Sequence, residues 1–564
     1  MKKSITKRKT MLLTMTAAIG LASVLMVGCS KSDKEENTTQ GTTETAATAA
    51  AKTENPQADS GEYAFTKGIT LDSPGTVNIF AFKEGKNYDK VIKKFEDITK
   101  DSLKTKLNFQ WATNIRDEQA LKLAEQGDID LIFDAGWVNM ASNLSQGMYQ
   151  DLSKYFNNAD YPGLQKAFSP EIVEMLKNPS DGAIYGIPFF SDYNNLKCMY
   201  IRGDWREKLG CKPVVDLDTF EAYLKAVDEN KAELGAASAI GLENRGFYYF
   251  LDQTYEHMED HIFEVPSTGA RVTQYANVLL NDTNDEVLDV LYVGDPDTDF
   301  QSWPTKGNFL NEKTLKLADP WGKYVNADAI TSKDAKEKFK AGLYGATEND
   351  LNQFVAFQNE LKKTDPNAKL EYWIYDKKVQ DKEQVYTNVD VSNNYLFMPY
   401  FNDDPDRAMA VLDWVFENQA NNDLFSYGIE GEDFERVGDH QYKSLEPDNK
   451  YDFPNWLFSL NPLYIRTDAD TPADIVEYYE WSRNPDNFKT HPFAGFSFNT
   501  EPVSFEYTAF TTAQQDYYQQ FMIGYFGNET EAKLKEFYDG TKDYSTAIKE
   551  QVKEQLNTYF LNKK

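Results

Sequence analysis

Several groups of residues in this chain have the types and spacing to do chemistry. His257 and His261 form an H-x-x-x-H, which on a helix shares one face and could hold a metal. Neighbouring Glu259 and Asp260 complete no metal pattern, so a solvated helix face is the plainer reading. Asp295-Pro296-Asp297-Thr298-Asp299 gathers carboxylates as a calcium loop would, but the EF-hand glycine and glutamate do not follow, and a solvated loop is the default. Cys198 and Cys211 could pair in an oxidising compartment or stay separate thiols. Nucleophilic catalysis has no G-x-S-x-G to rest on, and phosphate binding has no Walker motif. The 90 acidic residues leave room for the carboxylate pair of a glycoside hydrolase, though no hydrolase block is recognisable. No cofactor is expected. Trp137 is of another kind. It follows the strand-like run Ile129-Asp130-Leu131-Ile132-Phe133, where its ring would face a ligand cleft or pack on the next helix.

The elements around Trp137 give that position its meaning. Gly75 to Phe82 reads as a strand after a Pro-Gly turn. Tyr88 to Thr99 carries a helical stripe of Val91, Ile92, Phe95 and Ile98. Leu103 to Trp111 alternates as a strand, Asp117 to Gln126 is helical up to Gly127, and 129–133 is a strand again. Strand, helix, strand, helix, strand is the signature of a parallel sheet with crossover helices. Ligands bind beyond the carboxyl ends of such strands. Further helices are expected over 216–227, 333–341 and 404–418, and over Glu531–Tyr538 and Tyr544–Phe560 with Gly540 ending the first of that pair.

The N-terminus sets the compartment. Lys2, Lys3, Lys7, Arg8 and Lys9 precede an apolar run from Met11 to Val27, which is short for a membrane-spanning helix. The run ends in Met26-Val27-Gly28-Cys29, which resembles the lipobox of bacterial lipoproteins, with Met26 where Leu is usual. That resemblance implies lipidation of Cys29 and attachment outside the cytoplasmic membrane. Ser30 to Ser60 is charged, then rich in Thr, Ala and Glu, and buries too little apolar surface to fold, so it reads as a tether. The whole chain carries −31; its first 28 residues hold five basic and no acidic residues, which leaves −36 for the remainder. Such acidity makes nucleic acid and anionic lipid poor partners, since both need a basic footprint, and no nucleic-acid partner is expected. Aromatic residues make up 14% of a chain whose mean hydropathy is −0.62, which suits stacking on a partly polar ligand as well as filling cores.

Several motifs, in order, are similar to those of family 1 extracellular solute-binding proteins, the substrate-binding lipoproteins of ABC importers. Ile184-Tyr185-Gly186-Ile187-Pro188 resembles the family's "YG-[IL]-P" crossover. Arg202-Gly203-Asp204-Trp205-Arg206-Glu207-Lys208-Leu209-Gly210 resembles the "R-x-DW-x-x-KLG" block of a Gram-positive subgroup; Trp205, beside a helix start, reads as structural. Phe339-Lys340-Ala341-Gly342 resembles "F-x-x-G", Asp404-Pro405-Asp406-Arg407-Ala408-Met409 resembles "NPERAM", and Tyr427-Gly428-Ile429-Glu430-Gly431 matches "YGIEG". Asn455-Trp456-Leu457-Phe458-Ser459-Leu460-Asn461 is a degraded "W-x-FGN". His491-Pro492-Phe493-Ala494-Gly495-Phe496 looks like the start of the C-terminal domain that some members carry.

The resemblance implies an α/β, two-lobe periplasmic-binding-protein-like fold of type II, with hinge crossovers near Pro188, Gly342–Gly345 and Pro399 and a helical C-terminal extension. It divides the chain into a signal (1–28), a tether (29–62), a first lobe (63–187 with 343–399), a second lobe (188–342 with 400–489) and a C-terminal helical domain (490–564). It implies a monomeric, non-enzymatic binding subunit that delivers a carbohydrate, most simply an oligosaccharide, to a membrane permease. Sugars offer apolar faces to rings and hydroxyl edges to polar groups. The candidate stackers are Trp137, Phe190, Tyr193 and Trp456, and the candidate polar contacts are Asp192, Asn194, Glu348 and Asn461. A binding protein for peptides or another small solute, a surface adhesin and an extracellular glycoside hydrolase remain alternatives.

Overall fold

Strand β1, Gly75–Phe82, is nearly all apolar because it lies inside a sheet covered on both faces: Val77, Ile79, Phe80 and Ala81 are buried. The computed structural model describes residues 69–178, 181–243, 246–247, 261–264, 276–292, 295–296, 299, 318–387, 392, 394–445, 451–496 and 498–563. The signal, the tether, Cys29 and His257 lie outside the described residues, which all belong to the compact unit 58–564.

After β1 come helix α1 (Asp89–Thr99), strand β2 (Thr105–Ala112), helix α2 (Ile115–Glu125), strand β3 (Leu131–Asp134) and helix α3 (Met140–Ser145). Strands β1, β2 and β3 are parallel, and α1 packs Val91, Phe95 and Thr99 inward at a spacing of four. Strand β4, Gly186–Pro188, closes the edge of this first sheet. The chain then crosses over and forms β5 (Lys197–Arg202), helix α4 (Leu217–Glu229) and β6 (Ser238–Gly241). A small antiparallel sheet follows, made of β7 (Ile262–Glu264), β8 (Ala276–Leu280) and β9 (Val287–Tyr292). Strands β10 (Tyr344–Asp350) and β11 (Leu370–Trp373) complete a second sheet in the order β11-β5-β10-β6.

Strand β12, Val385–Tyr386, precedes the return to the first lobe. There β13 (Tyr395–Phe397) inserts antiparallel between β3 and β4, giving the order β2-β1-β3-β13-β4. Helices α5 (Pro405–Val415) and α6 (Gln419–Ser426) follow. Helix α5 starts where it does because Pro405 stands at its first turn and the Asp404 carboxylate accepts the Arg407 N–H at 3.3 Å. The Arg407 guanidinium ties that turn to Thr105 Oγ1 at 3.0 Å and to the Ser73 carbonyl at 3.1 Å, binding α5 to the sheet. The chain crosses a third time between Tyr464, in the first-lobe core, and Ile475, in a second-lobe core. It ends in α7 (Ser504–Phe521) and α8 (Thr530–Lys563).

Four expectations are corrected here. Residues 343–386 belong to the second lobe, because β10 pairs with β5 and β6 inside its sheet; Gly342–Gly345 is therefore no hinge. Residues 400–445 and 451–464 belong to the first lobe, where Met409, Leu412, Trp414 and Phe458 share the core of β1 and β3; Pro399 simply follows β13. The return crossover instead lies between β12 and β13. Gly540 does not stop a helix: α8 runs through it, since Gly540 lies on an open face while Phe537, Thr541 and Ile548 are buried. The C-terminal part is also no separate domain. Ile548, Val552, Leu556 and Phe560 share one core with Phe220, Tyr223 and Leu224 of α4. Trp205 is buried beneath the Arg202 guanidinium, 4.5 Å from its ring, as the structural reading expects.

Candidate ligand site

Strands β1 and β3 lie side by side, pairing Ile79 with Leu131 and Phe80 with Ile132. Four rings gather at their carboxyl ends. Phe82 lies 5.5 Å from Trp137 and 5.2 Å from Trp456, and Phe133 lies 5.8 Å and 5.9 Å from the same two indoles. Phe133 is fully buried, whereas Phe82, Trp137 and Trp456 keep part of their surface open. This is the place where an open parallel sheet receives its ligand.

Each tryptophan is held by the backbone beneath it. Asp134 ends β3 with its carboxylate inside the protein, accepting the N–H groups of Ala135 at 2.8 Å and Asn139 at 3.0 Å. It also accepts from Tyr149 Oη at 2.5 Å and Asn143 Nδ2 at 2.9 Å. Burial raises its pKa above the ordinary aspartate value, and these donors pull the other way. The network fixes the turn that carries Trp137, and Arg116 Nε donates to the Trp137 carbonyl at 3.1 Å. Trp456 sits on a single turn, Asn455–Leu457, anchored by Leu457 and by Phe458 after it, both fully buried. Asn422 Nδ2 clamps the Ser459 carbonyl at 2.8 Å. Gly85 lets the loop after β1 cross this segment, because a Cβ there would lie 1.9 Å from the Asp452 carbonyl oxygen.

Beside Trp137 opens a cavity of 1220 Å³, lined by Gly136 and Val138 on either side of that residue. This exceeds the roughly 300–1,000 Å³ typical of sites for drug-sized ligands. One wall is first-lobe: α3, the segment around Asn178 to Tyr185, and Tyr395 and Phe397 of β13. The other wall comes from residues 495–496 and 498–502 and the last three turns of α8, which are packed into the second-lobe core.

The remaining sequence candidates have other surroundings. Phe190 is buried, and Tyr193 stacks on Phe488 at 6.0 Å, touching cores of both lobes. Burial pushes the Tyr193 hydroxyl up to about 12. Asp192 accepts from Ser191 Oγ at 2.6 Å and Ser482 Oγ at 2.7 Å, and Asn194 Nδ2 donates to the Tyr386 carbonyl at 3.1 Å. These four residues therefore bind the crossovers to one another. Asn461 is buried, with Nδ2 donating to Ala167 and Oδ1 accepting from Leu463 N, each at 3.0 Å; its amide is used within the first lobe. Glu348 lies on β10 of the second lobe, where burial pushes its carboxyl up to about 7 and Tyr375 Oη donates to it at 2.6 Å. Phe190 and Tyr193 meet at the crossovers, with ring centroids 5.8 Å apart, and Trp137 and Trp456, distant in sequence, are brought together through Phe82.

The other chemistry of the sequence has a structural use. Cys198 and Cys211 are unpaired, Cys198 deep in β5. Asp295 is buried, accepting from Lys549 Nζ of α8 at 2.8 Å and from Tyr292 N at 2.7 Å, so the lysine stands where the sequence admitted a cation. Among the described residues no group of three metal-ligating side chains occurs. His261 contacts Asn284 Oδ1 at 3.0 Å.

The architecture as a whole is similar to solved binding proteins. The N-glycan transport solute-binding protein NgtS of Streptococcus pneumoniae superposes with a TM-score of 0.65 at 14% identity, over 87% of this chain and 100% of that one. The chain has the fold of an extracellular solute-binding protein. An HMO-binding, ABC-transporter-associated solute-binding protein of Bifidobacterium longum infantis matches at TM-score 0.58 and 16% identity, covering 87% of this chain and 99% of its own. The alginate-binding protein AlgQ2 matches at 0.52 and 17%, over 88% and 99%. No family model matches the sequence, and none of the curated proteins matches it significantly.

Phe82, which meets both indoles, and the α8 face that lines the cavity were not among the sequence candidates. Phe82 was within reach, since it ends β1 as Phe133 ends the strand before Trp137. The α8 face left a fainter trace: a run of uncharged polar residues at helical spacing near the C-terminus.

Proposed function

We propose that this protein is the lipid-anchored substrate-binding subunit of an ABC importer, capturing an oligosaccharide between its lobes for delivery to the permease. One observation carries the reading. The partly open rings of Phe82, Trp137 and Trp456 stand at the carboxyl ends of the first-lobe strands, beside a 1220 Å³ cavity walled by both lobes. Rings take the apolar faces of sugars, and amides and hydroxyls take their edges. The similar folds support it, since NgtS was solved with Man1GlcNAc and with Man5GlcNAc, and the others are named for HMO and alginate. The work of such a site is binding and release, with no bond made or broken.

The anchor rests on Cys29 and the basic and apolar residues before it. Cys29→Ser is expected to release the protein from the membrane fraction of its host, and retention there would argue against lipid attachment at this residue. The ligand class is tested by thermal shift against oligosaccharides, monosaccharides, peptides and polyamines. A ligand that binds only the folded state raises Tm by mass action. A rise with oligosaccharides is the expected result; a rise with peptides alone would replace the solute and keep the importer role.

A further inference from the structure

Helix α8 has two kinds of outer surface. In its first turns the exposed positions are charged and paired, Lys533 with Glu536 at 2.8 Å and Lys535 with Asp539 at 2.6 Å. In its last three turns the residues facing the cavity are Gln551, Glu554, Gln555, Thr558, Tyr559 and Asn562. Their spacing makes one continuous stripe. The opposite stripe, Val552, Leu556 and Phe560, is buried in the second-lobe core, so the cavity-facing stripe is held rigidly in place. Gln555 is further fixed by two bonds to the Asn499 backbone, accepting at 2.8 Å and donating at 2.9 Å.

The facing wall mixes apolar side chains, among them Met140, Leu144, Met175 and Phe397, with polar ones of the same chemistry. Helix α3 contributes Ser142 and Ser145, and Gln146 follows it. Among the described lining residues the single cation is Lys177, which pairs with Glu174 at 2.5 Å, while Asp181, Glu501 and Glu554 are acidic. An anionic solute would enter walls of net negative charge with no guanidinium to receive it, and a buried unpaired charge is strongly disfavoured. Amides and hydroxyls both donate and accept, which matches the two-way hydrogen bonding of neutral sugar hydroxyls.

We propose that the last three turns of α8 form the second-lobe wall of the ligand site, and that this wall selects an uncharged oligosaccharide. This rests on the oligosaccharide reading above and adds to it the charge class and the selecting element.

The test is calorimetric titration of the intact protein with neutral oligosaccharides and with uronic-acid oligosaccharides of matched length. A neutral glycan is expected to bind at least roughly tenfold more tightly than its carboxylated counterpart, with little dependence on salt. The double variant Gln551→Ala/Asn562→Ala is expected to lose roughly tenfold in affinity at an unchanged Tm. If that variant melts early, Asn562→Ala alone, at the exposed end of the helix, gives the same comparison. Equal or tighter binding of the uronic-acid glycans would overturn the charge selection while leaving an oligosaccharide-binding protein. Wild-type affinity in the α8 variants, with Trp137→Ala defective, would overturn the role of α8 and keep the first-lobe site. Binding of no oligosaccharide would remove the underlying reading and this inference with it.

Discussion

At the residue scale, Trp137 and Trp456 differ from most of the chain's aromatics in what surrounds them. Phe133, Trp414 and Phe425 are buried on all sides, whereas these two indoles keep an open edge above fixed backbone. Their rings are placed by the Asp134 network and the Asn422 clamp. Truncating either should therefore remove ring contact with the ligand and leave the backbone in place. Trp137→Ala and Trp456→Ala are each expected to weaken oligosaccharide binding by about ten- to a hundredfold in calorimetry. A change below about twofold in both would remove the aromatic cluster from the site. Glu348 leads to a different experiment. Its carboxyl is raised by burial from 4.5 to about 7, so the folded state holds the proton more tightly than the unfolded chain does. Its contribution to stability is full below pH 4.5 and is lost as pH rises towards about 7. Gln in its place stays neutral and can still accept the Tyr375 hydroxyl. The Tm of Glu348→Gln is expected to match wild type near pH 4 and to exceed it at pH 8. A gap that stays constant with pH would show that Glu348 does not titrate in this range.

At the element scale, the first lobe was legible in the sequence where burial is local. β1, α1, β2, α2 and β3 fall within two residues of the spans read from periodicity, since each shows its buried face in its own pattern. What was not legible was partnership. β13 is three residues long, and nothing in Tyr395-Leu396-Phe397 says that it inserts between β3 and β4. β10 has the same residue pattern, Tyr344-Gly345-Ala346 followed by polar residues, whether it pairs with β1 or with β5, so assigning it to the wrong lobe exchanged two whole segments. The candidate site followed the same rule: the place of Trp137 was legible from a strand end, whereas the α8 face was not, because its neighbour across the cavity is some 400 residues away in sequence. Gly540 misled through propensity. Inside an exposed stretch of helix, glycine disfavours the helix by about 1 kcal/mol relative to alanine without ending it. A Cβ at that position would touch nothing within 4 Å. Gly540→Ala is accordingly expected to stabilise the protein by roughly 0.5–1 kcal/mol in urea unfolding. Destabilisation would mean that the helix bends or opens at this point.

At the scale of the whole molecule, the three crossovers are joined. Phe189 N donates to the Asn394 carbonyl at 3.1 Å, Phe190 N to Leu460 at 3.1 Å and Tyr193 N to Ser482 at 2.9 Å. The lobes are therefore linked by one packed hinge, and the cavity walls stand on either side of it. A ligand resting on the aromatic cluster gains its second set of contacts only when the α8 stripe reaches it, so it must favour the closed arrangement over any open one. The two walls then have separable roles. On the proposed reading, Trp137 acts on initial capture and the α8 stripe acts on closure. Small-angle scattering at saturating oligosaccharide is expected to show a smaller radius of gyration than the free protein. Trp137→Ala should need more ligand and reach the same compact value. Gln551→Ala/Asn562→Ala, when saturated, should remain larger, because its bound ligand no longer holds the lobes together. A wild-type radius that does not change on saturation would mean that the cavity is already formed in the free protein and that closure plays no part in capture.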